Sequence, residues 1–315
     1  MTTMRVVGSM RYGGPDALEV VELPVPEPGH GEVRVRVHAA AVNPTDTFVR
    51  NGARAEQQAP FPRPYVPGMD AAGVLDAIGP DTTTDLVVGD RVMAILLPQG
   101  THGAYAEYVV CPAESVTRAP AGTTHAEAAT LPMNGLTAQM SLDQLALPAG
   151  ATLAVTGAAG CYGGYVVQLA HHAGLRVIAD AAPQDMELVR SLGADVVLPR
   201  GDDLAERVRA LVPGGVDAVA DGAVMNALAL PMVRDGGGFA TVRGWDGPSE
   251  RGITIHPTWV REYLRAHAAL DRLRLLAEQG VVTLRVAAVL PAADAAEAHR
   301  RLEAGGTRGR FVLEF

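Results

Sequence analysis

Residues Ala154-Val-Thr-Gly-Ala-Ala-Gly-Cys-Tyr-Gly-Gly-Tyr-Val-Val-Gln-Leu-Ala170 decide the fold, because a glycine-rich turn here separates an apolar strand signal from a helical one. The strand reads Thr152 to Thr156. The helix that follows puts Val166, Leu169, Ala170 and Ala173 on one face before Gly174 ends it. A second strand, Leu175 to Ala179, leads directly to Asp180. Small residues between a strand and a helix let a backbone approach a pyrophosphate, and the helix start offers unpaired N–H groups and a positive dipole end. Gly160 and Gly163 fill two fingerprint positions, with Ala158 where the first glycine usually stands. Ala159, Cys161 and Tyr162 complete the predicted phosphate loop. Asp180 falls where a carboxylate meets the adenosine ribose hydroxyls.

Outward from this unit the pattern differs on the two sides. Before it, short strands separated by turn residues (Met4 to Val7, Leu18 to Leu23, Glu32 to Ala41, Gly73 to Gly79, Arg91 to Leu96, Ala104 to Val110) predict an antiparallel, barrel-like region. Alternation is clearest in Glu32-Val-Arg-Val-Arg-Val-His38. From about Thr123, strands alternate with helices: a helix over Ala126 to Leu145, then Gln184 to Leu192, Val196 to Leu198, Leu204 to Leu211, Asp217 to Ala220 and Phe239 to Val242. That alternation predicts an α/β fold with a doubly wound parallel sheet. A helical stretch over Trp259 to Glu278 precedes a strand, a helix and a strand (Leu284 to Leu290, Ala292 to Glu303, Arg310 to Phe315) that are expected to rejoin the first region. The proline-dense segment Ala59 to Pro67 reads as a stiff extended loop.

Composition narrows the chemistry. With 315 residues and 48% apolar content the chain is long enough for two domains with large cores. A formal charge of −9 offers no general attraction to nucleic acid or to an anionic membrane, which leaves small molecules as the expected partners. Cys111 and Cys161 are the only cysteines, no signal peptide is apparent, and no segment is apolar enough for a membrane span, so a cytoplasmic, reducing location is expected. All 26 basic residues are arginine. Without a lysine, Schiff-base chemistry, a phosphate-loop lysine and a lysine base are excluded.

The motifs Ala41-Val-Asn-Pro-Thr-Asp46, Pro67-Gly-Met-Asp-Ala-Ala-Gly-Val74, Val88-Gly-Asp-Arg-Val92, Gly103-Ala-Tyr-Ala-Glu-Tyr-Val109, Leu131-Pro-Met-Asn-Gly-Leu-Thr-Ala138, Leu192-Gly-Ala-Asp195 and Gly309-Arg-Phe-Val-Leu313, with the glycine loop, run the length of the chain. Together they resemble the medium-chain dehydrogenase/reductase superfamily, and within it the zinc-independent quinone oxidoreductase group that includes zeta-crystallin. The resemblance implies a Rossmann domain over residues 121–280 and a GroES-like β-barrel catalytic domain over residues 1–120 and 281–315. It implies hydride transfer from NAD(P)H to a quinone or an α,β-unsaturated carbonyl. Two alternatives are an ene reductase dedicated to one secondary-metabolite enone and a weakly catalytic, crystallin-like dinucleotide-binding protein.

Zinc-containing relatives carry a cysteine in the loop held here by Asn43 to Asp46, and Gly-His-Glu where this chain has Gly68-Met69-Asp70. No zinc is therefore expected. By resemblance Asn43 and Asp46 border the nicotinamide and substrate, Asn134 and Thr137 reach the nicotinamide ribose or amide with Thr137 also near the chemistry, and Thr241, Val242 and Arg243 line the cofactor cleft. Asp70 reads as a structural carboxylate and Trp245 as a substrate wall or core. Phe48 stands where such reductases often have tyrosine, leaving Tyr12, Tyr65 and Tyr105 as hydroxyl donors or packing residues. Cys161 reads as a small loop residue. His171, His172 and His299 read as surface residues or partners of helix C-termini. Asp180 favours NADH, whereas Arg200 matches a position that contacts a 2′-phosphate, and the resemblance tips the expectation to NADPH with NADH as the alternative. The run Gly252 to His256 reads as an edge strand on which a homodimer would pair.

Overall fold

The computed structural model describes residues 2–248 and 250–315. Contacts divide the chain into two compact units: residues up to Met133 with Leu264–Glu278 and Leu284–Phe315, and Asn134–Tyr263 with Gln279–Thr283. In chain order the elements are β1 (Thr3–Ser9), β2 (Leu18–Pro24), β3 (Glu32–Ala41), α1 (Pro44–Asn51), α2 (Ala55–Gln58), β4 (Asp70–Ile78), β5 (Arg91–Ile95), β6 (Tyr108–Pro112), β7 (Val116–Arg118), α3 (His125–Ala129) and α4 (Pro132–Leu145). They continue with β8 (Thr152–Thr156), α5 (Cys161–His172), β9 (Arg176–Ala181), α6 (Met186–Ser191), β10 (Val196–Pro199), α7 (Leu204–Leu211), β11 (Val216–Asp221), β12 (Val233–Thr241) and β13 (Thr254–Pro257). The chain closes with α8 (His267–Glu278), β14 (Val286–Pro291), α9 (Ala295–Ala304) and β15 (Arg310–Glu314).

The first unit is built on a largely antiparallel sheet in the order β14-β15-β3-β4-β5-β7, with β6 also pairing β3 and β1 pairing β2 separately. Alternation in β3 buries Val33, Val35 and Val37, each contributing roughly 1.5–3 kcal/mol by burial. They pack in one core with Val6, Leu75, Val92, Val109 and Phe311. The C-terminal strand β15 pairs antiparallel with the end of β3, Val312 opposite Ala41, so the last residues of the chain belong to the first unit.

The second unit is a parallel sheet in the order β10-β9-β8-β11-β12-β13 among the described residues. Its core gathers Ala154, Ile178, Val219 and Phe239 from the strands and Leu204 and Val208 from α7. Strand order runs one way from β8 to β10 and the other way from β11 to β13, so the direction reverses between β8 and β11. In such sheets ligands bind outside the carboxyl ends of the strands at that reversal.

Several sequence expectations shift. The helix expected over Ala126 to Leu145 is two helices, because Pro132 cannot continue α3 and instead opens α4. The strand expected over Ala104 to Val110 begins only at Tyr108; the stretch before it forms an isolated bridge, Val6 with Ala106. Within Trp259 to Glu278 only His267–Glu278 is α-helix, and this α8 packs with the first unit through Leu270, Leu273 and Leu276. Helix α1, started by Pro44 behind the Asn43 N-cap, and the short β7 were not anticipated. No helix among the described residues is long and apolar enough to cross a membrane.

Candidate functional site

In the second unit the turn after β8 stands at the strand reversal. Gly157 takes φ +67, a left-handed conformation that suits glycine, and a Cβ there would press on the Gly222–Ala223 backbone at 3.0 Å. Gly157, not Ala158, is therefore the tight-turn glycine. Gly163 lets α5 pack onto that turn, since a Cβ would lie 2.4 Å from the Gly157 carbonyl oxygen. Gly160 is the N-cap of α5 and no side chain caps the helix. A Cβ at Gly160 would meet only the Gly157 carbonyl oxygen, at 3.1 Å. The N-terminus of a helix is the positive end of its dipole, and that of α5 falls at this turn.

The loop is braced from below. The Thr156 hydroxyl donates to Asp221 Oδ1 at 2.5 Å and accepts the Ala223 N–H at 3.0 Å, which ties the end of β8 to the end of β11. Asp221 further accepts the N–H groups of Met225 and Asn226. Tyr162 is buried; its hydroxyl shares a hydrogen bond with Ser141 at 2.8 Å, and its ring fills the place a Cβ on Gly222 would take. Of the predicted loop residues, Tyr162 and Cys161 are buried, Cys161 as a thiol outside any disulfide. Gly157, Asp221 and Gly222 were missed by sequence reading; the switch-point geometry is the signal that finds them.

Asp180 is placed differently from expectation. It lies within β9, 3% exposed, and its Oδ1 accepts the Ala158 N–H at 3.2 Å. Burial pushes its acidity down, raising its pKa, while the N–H groups of Ala158 and Gly157 and the charge of Arg200 oppose that shift. The carboxylate braces the loop rather than facing outward. Arg200 follows β10 with a half-exposed guanidinium, Nε 3.9 Å from Asp180 Oδ2. Thr241 ends β12, buried, with its hydroxyl 3.4 Å from the Gly244 carbonyl; Val242 and exposed Arg243 follow it. Trp245 packs on Phe239 at 5.4 Å between ring centroids, as core. Asn134 and Thr137 lie one turn apart on α4, both buried.

In the first unit the predicted residues Asn43 and Asp46 meet Asp70 in a fully buried cluster. The Asn43 side-chain amide donates to Asp70 Oδ2 at 2.6 Å, and its backbone N–H donates to Asp46 Oδ2 at 2.7 Å. Asp46 also accepts from the Gly68 N–H at 3.1 Å and the Tyr105 hydroxyl at 3.2 Å, and Asp70 accepts the Met133 N–H at 2.6 Å. Loss of water pushes Asp46 up to about 6 against those donors. The same loss pushes Asp70 up to about 7, with the Asp46 charge adding to the shift. Among the tyrosines, Tyr105 is the one bound to this cluster, whereas Tyr12 stacks on Tyr65 at 5.4 Å beneath the Arg63 guanidinium. Phe48 lies under Arg54. His299 is not on the surface: it is fully buried, with Nε2 3.1 Å from the Tyr105 hydroxyl. Among the described residues no group of three or more His, Cys, Asp or Glu side chains is arranged to hold a metal ion.

A parallel sheet with a glycine turn at its strand reversal, joined in one chain to a largely antiparallel unit, is the architecture of two-unit dinucleotide-binding proteins. Comparison with known proteins makes this specific. The chain matches "Alcohol dehydrogenase GroES-like domain" over residues 29–121 and "Zinc-binding dehydrogenase" over residues 192–313. It is 31% identical to a quinone oxidoreductase of Pseudomonas aeruginosa over 96% of this chain and 97% of that protein. It is 34% identical to an NADPH-dependent alkenal/one oxidoreductase of Arabidopsis thaliana over 74% of this chain and 61% of that protein. The chain spans about three fifths of the length of the plant relatives it matches. Among solved structures, an NAD-dependent alcohol dehydrogenase shares 33% identity with a TM-score of 0.87, covering 99% of this chain and 100% of that one. A mycobacterial protein complexed with NADPH shares 31% with a TM-score of 0.85 at the same coverage. The chain belongs to the medium-chain dehydrogenase/reductase family, in its quinone oxidoreductase group.

The buried carboxyls make stability depend on pH in a definite sense. Both native pKa values stand above the unfolded value, so their contribution is fully present below about pH 4 and is lost as pH rises through 6 to 7. Asp70→Asn, which stays uncharged, should therefore cost stability at pH 5, and that cost should shrink by on the order of 1 kcal/mol or more by pH 8. Urea unfolding at the two pH values checks this; a cost that does not change with pH would show that Asp70 does not titrate in this range.

Proposed function

We propose that the chain is an NADPH-dependent oxidoreductase that delivers hydride to a quinone or an α,β-unsaturated carbonyl without a metal. The observation that carries the reading is the glycine turn of Gly157, Gly160 and Gly163 between β8 and α5 at the strand reversal, in a chain of the quinone oxidoreductase group. We read the second unit as the dinucleotide domain and the first as the substrate domain. When bound, NADPH supplies the hydride. The glycine loop receives the pyrophosphate on its backbone N–H groups, while Asp180 holds the loop from behind. Asn134 and Thr137 orient the nicotinamide end, and Thr241, Val242 and Arg243 border the cofactor through their backbone. Asn43 and Asp46 border the acceptor and hold the start of α1 in place beside it. The two buried cysteines fit a reducing, cytoplasmic location.

The purified chain should oxidise NADPH steadily with a simple quinone and with a small enone, unaffected by a chelator. Saturable NADPH fluorescence without turnover would instead favour a crystallin-like binding protein, and loss of activity on chelation would overturn the metal-free mechanism.

Cofactor choice separates the two residues that sequence reasoning set against each other. With its carboxylate turned onto the loop, Asp180 no longer opposes a 2′-phosphate, and Arg200 beside it presents an exposed guanidinium. Arg200→Ala should lower the NADPH to NADH ratio of kcat/KM about tenfold, roughly 1.4 kcal/mol. Asp180→Ser should weaken both cofactors, since it removes the acceptor for the Ala158 N–H. A ratio that stays within about twofold in Arg200→Ala, roughly 0.4 kcal/mol, would place the 2′-phosphate elsewhere.

Assembly follows from the sheet edge. Strand β13 pairs only with β12 among the described residues, which leaves one side of Thr254–Pro257 open for a second copy. A homodimer is the expected mass by light scattering at micromolar concentration; a monomer there would count against pairing on this edge.

A further inference from the structure

Behind Asp46 runs a line of buried polar groups that the reading above does not use. Arg50 lies one turn beyond Asp46 on α1, and His299 and Glu303 lie one turn apart on α9, so each helix presents two polar residues on one face. Tyr105, from the turn before β6, stands between the helices. Arg50 Nη2 donates to Glu303 Oε1 at 2.5 Å, where the carboxylate is half-exposed, and Nη1 lies 3.3 Å from His299 Nδ1. His299 Nε2 lies 3.1 Å from the Tyr105 hydroxyl, with the two rings nearly perpendicular at 82°, and that hydroxyl lies 3.2 Å from Asp46 Oδ2.

The sense of every bond in this line follows from its outer end. A guanidinium has only donors, so His299 Nδ1 accepts from Arg50 and the imidazole proton sits on Nε2. Nε2 then donates to the Tyr105 oxygen, and the tyrosine's own proton is left for Asp46. We infer that Arg50 and His299 are positioning residues that act through Tyr105, fixing the hydroxyl as a donor on Asp46 and so governing when the buried Asp46–Asn43–Asp70 cluster takes up a proton. Burial, and secondarily the Arg50 charge, hold His299 down to about 3, so the imidazole stays neutral and keeps this single tautomer across the working range. Burial also keeps the Tyr105 phenol protonated, so it remains a donor. The charged and titratable groups facing Asp46 are Asp70 on β4, Arg50 on its own helix, Tyr105, His299 with Glu303 on α9, and Arg310 on β15.

The inference rests, for its effect on catalysis, on the reading that Asp46 borders the acceptor, and the experiment separates the two. The carboxyl carbon resonances of the full chain labelled at aspartate are titrated in wild type, Tyr105→Phe, His299→Leu and His299→Gln, with Asp46→Asn supplying the assignment. Tyr105→Phe should move the Asp46 midpoint to higher pH by about half a unit or more, because a donor to the ionised form is lost, and His299→Leu should move it in the same direction by a smaller amount, because the hydroxyl is no longer held toward Asp46. His299→Gln, whose amide can accept from Arg50 and donate to Tyr105, should restore part of the shift; the glutamine and phenylalanine variants decide the matter if the leucine variant does not fold. An unmoved Asp46 midpoint in folded variants overturns the inference. A midpoint that moves while the acid limb of kcat/KM stays in place upholds the positioning role and overturns the placement of Asp46 beside the reacting atoms.

Discussion

Two carboxylates without water, bridged by one asparagine, are the constraint on which the first unit depends. An ionised group removed from water costs several kcal/mol unless hydrogen bonds replace its hydration. Here the replacement comes from many directions at once: Asn43 and Gly68 backbone N–H groups and the Tyr105 hydroxyl on Asp46, the Asn43 amide and Met133 N–H on Asp70. The start of α1, the turn before β4, the start of α4 and the docking of α9 are thereby fixed to one point. Displacing any of them strands a buried donor or acceptor. The same crowding leaves both carboxyls with midpoints near neutrality, about 6 and about 7, which a surface aspartate would not have.

The second unit solves a different problem, that of keeping a loop open above a tightly packed base. Gly157 and Gly163 remove side chains where α5 meets the turn, and Thr156, Asp221 and Asp180 satisfy the polar groups beneath it. Asp180 and Asp221 each brace a backbone turn from a strand end, so the loop is held before any ligand arrives. On the proposed reading, that pre-organisation reduces the ordering cost of binding a pyrophosphate at the α5 terminus. Tyr162 adds to it: its ring is accommodated at the base of the loop because Gly222 has no side chain.

Much of this was legible because it is local. Alternation in β3 and the turn-to-helix pattern after β8 depend on residues near one another in the chain, and the alternation of strands with helices pointed to a parallel sheet. What escaped was set by distance or by orientation. His299 read as a surface residue because nothing near it in sequence requires burial; its partners Tyr105 and Arg50 lie 194 and 249 positions away. Asp180 was recognised at the right place, yet its direction depends on the loop backbone, which residue spacing does not report. Gly157 was passed over because the usual fingerprint was aligned one residue later, and only the positive φ shows which position makes the turn.

The absence of lysine, first of use in excluding chemistries, also bears on how the buried line from Glu303 to Asp46 is held. Its outer anchor must keep its charge at low exposure and reach two partners in different directions. A lysine ammonium is a compact point charge that gives up its proton readily when buried, whereas arginine stays charged in proteins and offers a rigid planar fork. Arg50, 2% exposed, uses one arm of that fork for Glu303 and the other for His299. Because the fork has no acceptor, the proton on the imidazole has only one place to go, and the orientation of the Tyr105 hydroxyl inward from it is determined. A single unambiguous donor at the rim therefore fixes the direction of hydrogen bonding at a carboxylate two side chains away.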